Sequence, residues 1–199
     1  IYPEYKANRD ETPEAIKFSI PIIKDLLKSF NIPILEMKGF EADDIIGTIA
    51  KKASIESFRT FMVTPDKDYA QLVDDNTFML KPARGGKEEE LLNKNDILEQ
   101  WQINDIHQVI DILGLAGDSV DNIPGVPGIG PKTAQKLIFQ YGSVENLINN
   151  VHELKGKQKE NIEEYKENAL LSKKLATINC NVPIKFELNQ LVQGKIDTK

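Results

Sequence analysis

The feature that most constrains this chain is a change of hydrophobic period near Asn93. Before it, apolar runs of strand length alternate with stretches of helical spacing, and after it every pattern is helical. A helix is expected from Thr12-Pro13 through Ile16, Ile20, Ile23 and Leu27 to Phe30, bent or split at Pro21. A strand over 33–37, a helix over 42–51, a strand over 59–63, a short helix over 69–73 and a strand over 77–80 follow, and 81–87 reads as a loop around Gly85-Gly86. This alternation predicts an α/β core with a mostly parallel sheet, whose ligand sites lie beyond the carboxyl ends of the strands. From residue 94 the expectation is an all-α region with helices at 94–101, 105–114, 131–141, 144–149, 157–165 and 167–176. A last strand at 182–186 and a polar tail complete the chain. The expected division is an α/β part over 1–93, a helical part over 94–186 and a linker over 187–199.

Bulk composition narrows the chemistry. At 199 residues and 40% hydrophobic the chain can bury a real core, and no run approaches the roughly 20 apolar residues that span a bilayer. No basic-then-apolar leader opens it, so the expected compartment is the cytoplasm, without a membrane partner. Cys180 is the lone cysteine, and His107 and His152 are the only histidines, so a zinc set is excluded and any metal must take oxygen ligands. The net charge of −6 weighs against a nucleic-acid partner, but 31 acids and 25 bases can segregate into a metal cluster and a phosphate-binding strip.

Three acidic groups stand out: Glu41/Asp43/Asp44 at a helix start, Asp66/Asp68 just past a strand end, and Asp118/Asp121 in a glycine turn. Taken singly, each reads as a helix cap or turn residue. Taken together, carboxylates gathered at sheet ends repel unless a cation holds them. The glycine and closing glutamate of a calcium loop are absent after Asp66-Lys67-Asp68, and oxygen-only ligands suit two Mg²⁺ or Mn²⁺ ions. Such a pair activates water and stabilises charge growing on a phosphate.

The segment Pro124-Gly125-Val126-Pro127-Gly128-Ile129-Gly130-Pro131-Lys132-Thr133-Ala134 resembles a P-loop in its glycine spacing, but Pro131 stands where the lysine belongs and helical sequence precedes it. It reads better as a helix–hairpin–helix. Gly125, Gly128 and Gly130 let backbone approach a phosphate, the helix at 131–141 points free N–H groups at the anion, and Lys132, Thr133 and Lys136 lie on that side. An ordinary helix connection with proline at N1 is the alternative.

In order along the chain, Glu41-Ala42-Asp43-Asp44, Thr64-Pro65-Asp66-Lys67-Asp68, Gly117-Asp118-Ser119-Val120-Asp121-Asn122-Ile123-Pro124-Gly125-Val126 and Gly128-Ile129-Gly130-Pro131-Lys132-Thr133-Ala134 resemble the motifs of the 5′-nuclease family. The resemblance covers about 2–186 and implies a 5′-nuclease/PIN-like fold acting as a structure-specific 5′→3′ exonuclease and 5′-flap endonuclease on branched or nicked DNA. It implies metal ligation by Glu41, Asp43, Asp44, Asp66, Asp68, Asp118 and Asp121, with K⁺ at the hairpin. Glu4-Tyr5-Lys6-Ala7-Asn8-Arg9 is similar to the base of the family's helical arch, which implies that Lys6 and Arg9 meet the scissile phosphate. The family opens with a strand and two further aspartates that precede nothing here, so an N-terminally truncated core is expected. The tail resembles a linker into a polymerase, and a monomer is expected. Two other classes compete: a helix–hairpin–helix DNA-binding module without chemistry, and a ribonuclease sharing the acidic core.

Overall fold

The computed structural model describes residues 2–195, which fall into two units: the chain up to Arg9 with Ala50–Ile178, and Asp10–Ile49 with the chain from Asn179. In the first unit, the apolar run at residue 60 forms β1 (Thr60–Val63), and β2 (Thr77–Lys81) pairs with it in parallel, Met62 opposite Met79. A third strand, β3 (Glu90–Leu92), closes on β2 antiparallel with Leu92 opposite Met79, giving the order β1-β2-β3. Met62, Met79 and Leu92 form the buried face of this small sheet.

β3 was not expected. The run Glu88-Glu89-Glu90 hides the pattern, and the strand exists because a Gly-Gly turn folds it back. Gly85 and Gly86 both have left-handed φ, +62° and +81°, between the bridged pair Arg84 and Lys87. That is the backbone twist of a tight hairpin, which residues with a Cβ adopt reluctantly.

The helical half follows the sequence closely. Asn93 caps α3 (Lys94–Trp101) in a reciprocal capping box with Asp96. α4 (Gln108–Ala116) is its axis, with Val109, Ile112, Leu113 and Leu115 buried, and around it lie α5 (Pro131–Tyr141), α6 (Val144–Asn149), α7 (Gly156–Glu164) and α8 (Lys166–Ala176). α4 and α8 touch backbone to backbone: a Cβ on Gly114 would sit 2.8 Å from Cβ of Lys173. The Lys173 ammonium then reaches Asp111 Oδ1 at 2.6 Å and Glu145 Oε2 at 2.8 Å, joining α4, α6 and α8 through a charge cluster buried at Asp111 and open to solvent at Glu145. Burial pushes the Asp111 carboxyl upward despite the lysine, and the two acids hold Lys173 above the ordinary lysine value against its own burial.

In the second unit, α1 (Glu14–Ser29) runs unbroken through Pro21 and buries none of its residues, so Ile16, Phe18, Ile22 and Ile23 stay more than half exposed. α2 (Ala42–Ile55) begins here and passes into the first unit at Ala50. The strands expected at 33–37 and 182–186 do not form, since no ladder partner meets either segment among the described residues. Instead Ile32, Pro33 and Leu35 line a cavity of about 480 Å³ with Ile45, Ile46 and Ile49 of α2.

Candidate metal and nucleic-acid site

β1 ends at Val63, and the chain turns at once into a 3₁₀ helix (Lys67–Leu72) capped by Asp66, whose Oδ1 accepts from the Asp68 amide at 3.0 Å. This places Asp66 exposed and Asp68 largely buried beyond the carboxyl end of a parallel strand. Asp68 Oδ1 is buried and accepts no hydrogen bond; the Lys67 ammonium, 3.6 Å away, is its nearest countercharge. Burial first, and then the carboxylates of Asp66, Asp118 and Asp121, lift the Asp68 carboxyl to about 6 against the pull of Lys67. Four acids from two distant segments thus act on one another, although their sequence positions differ by up to 55 residues.

Asp118 and Asp121 arrive from the end of α4. After Gly117, the loop is closed by two bonds between Asp118 and Ile123, N to O at 2.9 and 2.8 Å. Asp118 Oδ1 accepts from the Val120 amide at 2.8 Å, and Oδ2 meets Lys67 Nζ at 2.5 Å. Burial alone would raise Asp118, but the bonds from Lys67 and Val120 outweigh it and hold its carboxyl below the ordinary value. Burial would lower Lys67, and Asp118 and Asp68 together hold it above the ordinary lysine value. Asp121 is met by the Arg9 guanidinium and, at 3.8 Å, by Lys6 Nζ. The first residues are laid along this loop by backbone recognition: Lys6 N donates to Asp121 O at 2.9 Å, Asn8 Nδ2 to Ser119 O at 2.7 Å, and Asn122 Nδ2 to Glu4 O at 2.7 Å. The structure therefore brings together Lys6, Arg9, Asp66, Asp68, Asp118 and Asp121.

Glu41, Asp43 and Asp44 belong to the second unit, at the opening of α2. There Asp44 Oδ2 accepts from the Glu41 amide at 3.3 Å and Oδ1 from the Asn179 amide at 2.8 Å, while Asp43 Oδ1 accepts from the Asp44 amide at 2.9 Å. Two of the three carboxylates thus serve backbone groups, the work of helix-start acids. Among the described residues no group of three or more Asp, Glu, His or Cys side chains converges as a ready ion cage. The residues of the first unit nonetheless fit a divalent cation chemically. They are hard oxygen donors, one oxygen is buried without a hydrogen bond, and a single lysine ammonium shared by Asp68 and Asp118 offsets only part of their charge.

The hairpin lies between α4 and α5. Gly128 and Gly130 are exposed, Lys132 and Lys136 stand on the exposed side of α5, and α5 begins at Pro131 with no side chain capping its first turn. Gly125 differs from its neighbours. It is buried and its amide donates to Ser172 Oγ at 2.9 Å, so it cannot offer that amide to a phosphate as expected. Sequence reasoning missed Lys67 as the bridge between Asp68 and Asp118, and it missed Ser172 and Asn161, which hold the hairpin from α8 and α7. The Lys67 bridge was within reach, because a lysine set between two candidate ligand acids is an obvious countercharge. Nothing local marked the other two.

Two family models match in succession along the chain: the 5′-3′ exonuclease N-terminal resolvase-like domain over residues 1–102 and the 5′-3′ exonuclease C-terminal SAM fold over 105–199. The chain belongs to the 5′-3′ exonuclease family. DNA polymerase I of Bacillus subtilis is 42% identical over 191 residues, 96% of this chain and 22% of that protein. The 5′-3′ exonuclease of Aquifex aeolicus is 37% identical over 191 residues, 96% of this chain and 63% of that protein. The chain therefore spans less than two thirds of these relatives. Among solved structures, T5 5′-exonuclease with bound zinc ions superposes with a TM-score of 0.73 at 27% identity, over 89% of this chain and 68% of that one. The T5 protein is also solved co-crystallised with metal ions, and the α/β core followed by helices expected from the sequence is the fold of this family.

Proposed function

We propose that this chain hydrolyses DNA phosphodiesters as a 5′→3′ exonuclease and 5′-flap endonuclease, using two Mg²⁺ or Mn²⁺ ions. The observation that carries the reading is Asp68: a buried carboxylate oxygen without a hydrogen bond, in the field of three further acids, beyond the end of a parallel strand. Asp66, Asp68, Asp118 and Asp121 would hold the ions in the first unit; Glu41, Asp43 and Asp44 of the second unit are proposed as metal ligands on the family resemblance alone. Such ions supply a water of lowered pKa and positive charge facing the phosphate. The chain's own part is positional. Lys6 and Arg9, seated at Asp121, offer cationic ends to a phosphate near the acids, and Lys67 keeps Asp68 and Asp118 charged and close. The exposed hairpin at Gly128 and Gly130, with Lys132, Thr133 and Lys136, would grip the backbone of duplex DNA without reading bases, and would also hold a K⁺ that adds positive charge there. In this reading the α/β part through residue 93 carries the chemistry, 94–186 holds the duplex, and 187–199 leads into a polymerase region of a monomeric cytoplasmic protein. Branched or nicked duplex with a 5′ single strand is the proposed substrate.

The ion pairing of Asp68, Asp118 and Asp121 with Lys67, Lys6 and Arg9 favours a second reading, a DNA-binding module without chemistry. Calorimetry separates the two. Mn²⁺ should bind the native chain and bind an Asp66→Ala/Asp118→Ala double variant at least about tenfold more weakly; equal affinities would leave only the binding module.

A further inference from the structure

The acid loop and the hairpin are consecutive in sequence, and the structure clamps them at one point. Gly117, which ends α4, and Gly125, which opens the hairpin, both have left-handed φ, +68° and +60°. A Cβ on Gly125 would lie 2.5 Å from the Gly117 nitrogen, and one on Gly117 would lie 2.6 Å from the Ile123 carbonyl oxygen. The two ends of the loop that carries Asp118 and Asp121 therefore cross with room for no side chain. Beyond the crossing, Val126 N donates to Leu115 O in the last turn of α4 at 2.8 Å, and Asn161 Nδ2 of α7 donates to Pro127 O at 2.7 Å.

Ser172 completes this grip. It is 0% exposed on α8, and its Oγ accepts from the buried Gly125 amide across 47 residues of sequence. Several hydroxyls in and beside helices of this chain turn back on their own helix: Ser19 to Ala15 O, Ser29 to Asp25 O, and Thr177, just past α8, to Lys173 O. That is their usual choice. Ser172 instead supplies the acceptor of an amide for which the loop crossing leaves no other partner.

Resting on the proposed role of the hairpin, we propose that Ser172 is a positioning residue for duplex DNA. Its buried hydroxyl fixes Gly125, and through the Gly117 crossing it sets the spacing between phosphates gripped at Gly128–Lys132 and the acids Asp118 and Asp121. Without that acceptor the Gly125 amide is buried and unsatisfied, so the hairpin relaxes toward water and its outer amides lose their preorganised aim.

The test is fluorescence anisotropy with a labelled blunt duplex in metal-free buffer, together with thermal unfolding, on four proteins: native, Ser172→Ala, Lys173→Met and Lys132→Ala. Lys173→Met breaks the Asp111–Lys173–Glu145 cluster on the same helix without touching the hairpin. Ser172→Ala should weaken duplex binding about fivefold, whereas Lys173→Met should stay within about twofold while losing at least as much thermal stability. Equal binding by native and Ser172→Ala protein overturns the proposal, as does equal weakening by both α8 variants. If Lys132→Ala binds as the native protein does, the duplex-holding reading of the hairpin fails instead, and the two failures are distinct. Should Ser172→Ala not fold, hydrogen exchange at the Gly125 amide of the native protein decides: strong protection is required, and free exchange overturns the assignment.

Discussion

At the opening of α2, Asp44 places both carboxylate oxygens on backbone amides, those of Asn179 and Glu41. Past the end of β1, Asp68 leaves one oxygen buried with no donor, and burial drives its carboxyl up to about 6. The same side chain thus stabilises one place and destabilises the other. Asp44 satisfies amides that would otherwise stand open at a helix start. Asp68 is an ionised group that folding has taken from water and recompensed only with a lysine 3.6 Å away. A protein keeps such a group where a ligand will complete it, which is why strained charge marks functional sites more reliably than acid count does.

The largest expected effect is on chemistry. Asp68→Asn should slow single-turnover cleavage of a 5′-flap substrate with Mg²⁺ by on the order of 100-fold, through loss of charge facing the ions. A rate within threefold of native would remove Asp68 from the site and break the comparison at its functional end.

The next effect is on stability, where the two acids should differ in sign. Asp68→Asn should raise the free energy of unfolding near neutral pH by on the order of 3 kcal/mol, since a lift of about two pKa units is worth ~1.4 kcal/mol each. Asp44→Ala should lower it by about 1–3 kcal/mol, because two amides lose their acceptor. Urea unfolding of both variants checks this, and shifts of the same sign would end the contrast.

The contrast should also depend on pH. Asp68 has a folded value of about 6, above the ordinary 3.8, so the neutral form is the one the fold prefers. Its ionisation penalty is absent below the ordinary value and complete above the raised one, so it weakens the fold as pH rises. The advantage of Asp68→Asn should therefore be full near pH 7.5, shrink as pH falls through 6, and vanish near pH 4. A gap independent of pH would mean that something other than ionisation separates the two proteins.

The smallest effect provides a baseline. Lys132 is exposed, so Lys132→Ala should leave stability within about 0.5 kcal/mol. It should weaken duplex binding alike for all sequences, lowering the salt slope of log K by up to about one. A stability change as large as that of Asp44→Ala would show that the unfolding measurements do not resolve site-specific effects.

Legibility from the sequence varied with the range of the forces involved. The bounds of α3, α5 and α6 agree with those read from capping residues, the proline opening α5 and 3.6-residue spacing. Pro21 did not split α1, and the run at 33–37 has strand composition but no neighbouring strand to pair with. β3 was invisible because its Glu-rich approach carries no alternation and its partner lies across a hairpin. At the site, the identity and order of the acids were legible. Their partners were not: nothing near Asp44 in sequence announces Asn179, and nothing near Gly125 announces Ser172.

The sequence by itself therefore determined the bounds of α3, α5 and α6, the place of Asp66 and Asp68 past a strand end and where the glycine hairpin lies, because caps, turns and periodicity act over a few residues. Tertiary structure alone decided which carboxylate rests on backbone amides and which is left buried beside a lysine, and whether a hairpin amide faces solvent or a serine. Those outcomes depend on how segments dozens of residues apart desolvate one another, and a carboxylate's energy depends on the water it loses and the charges it meets, neither of which is a property of its neighbours in the chain.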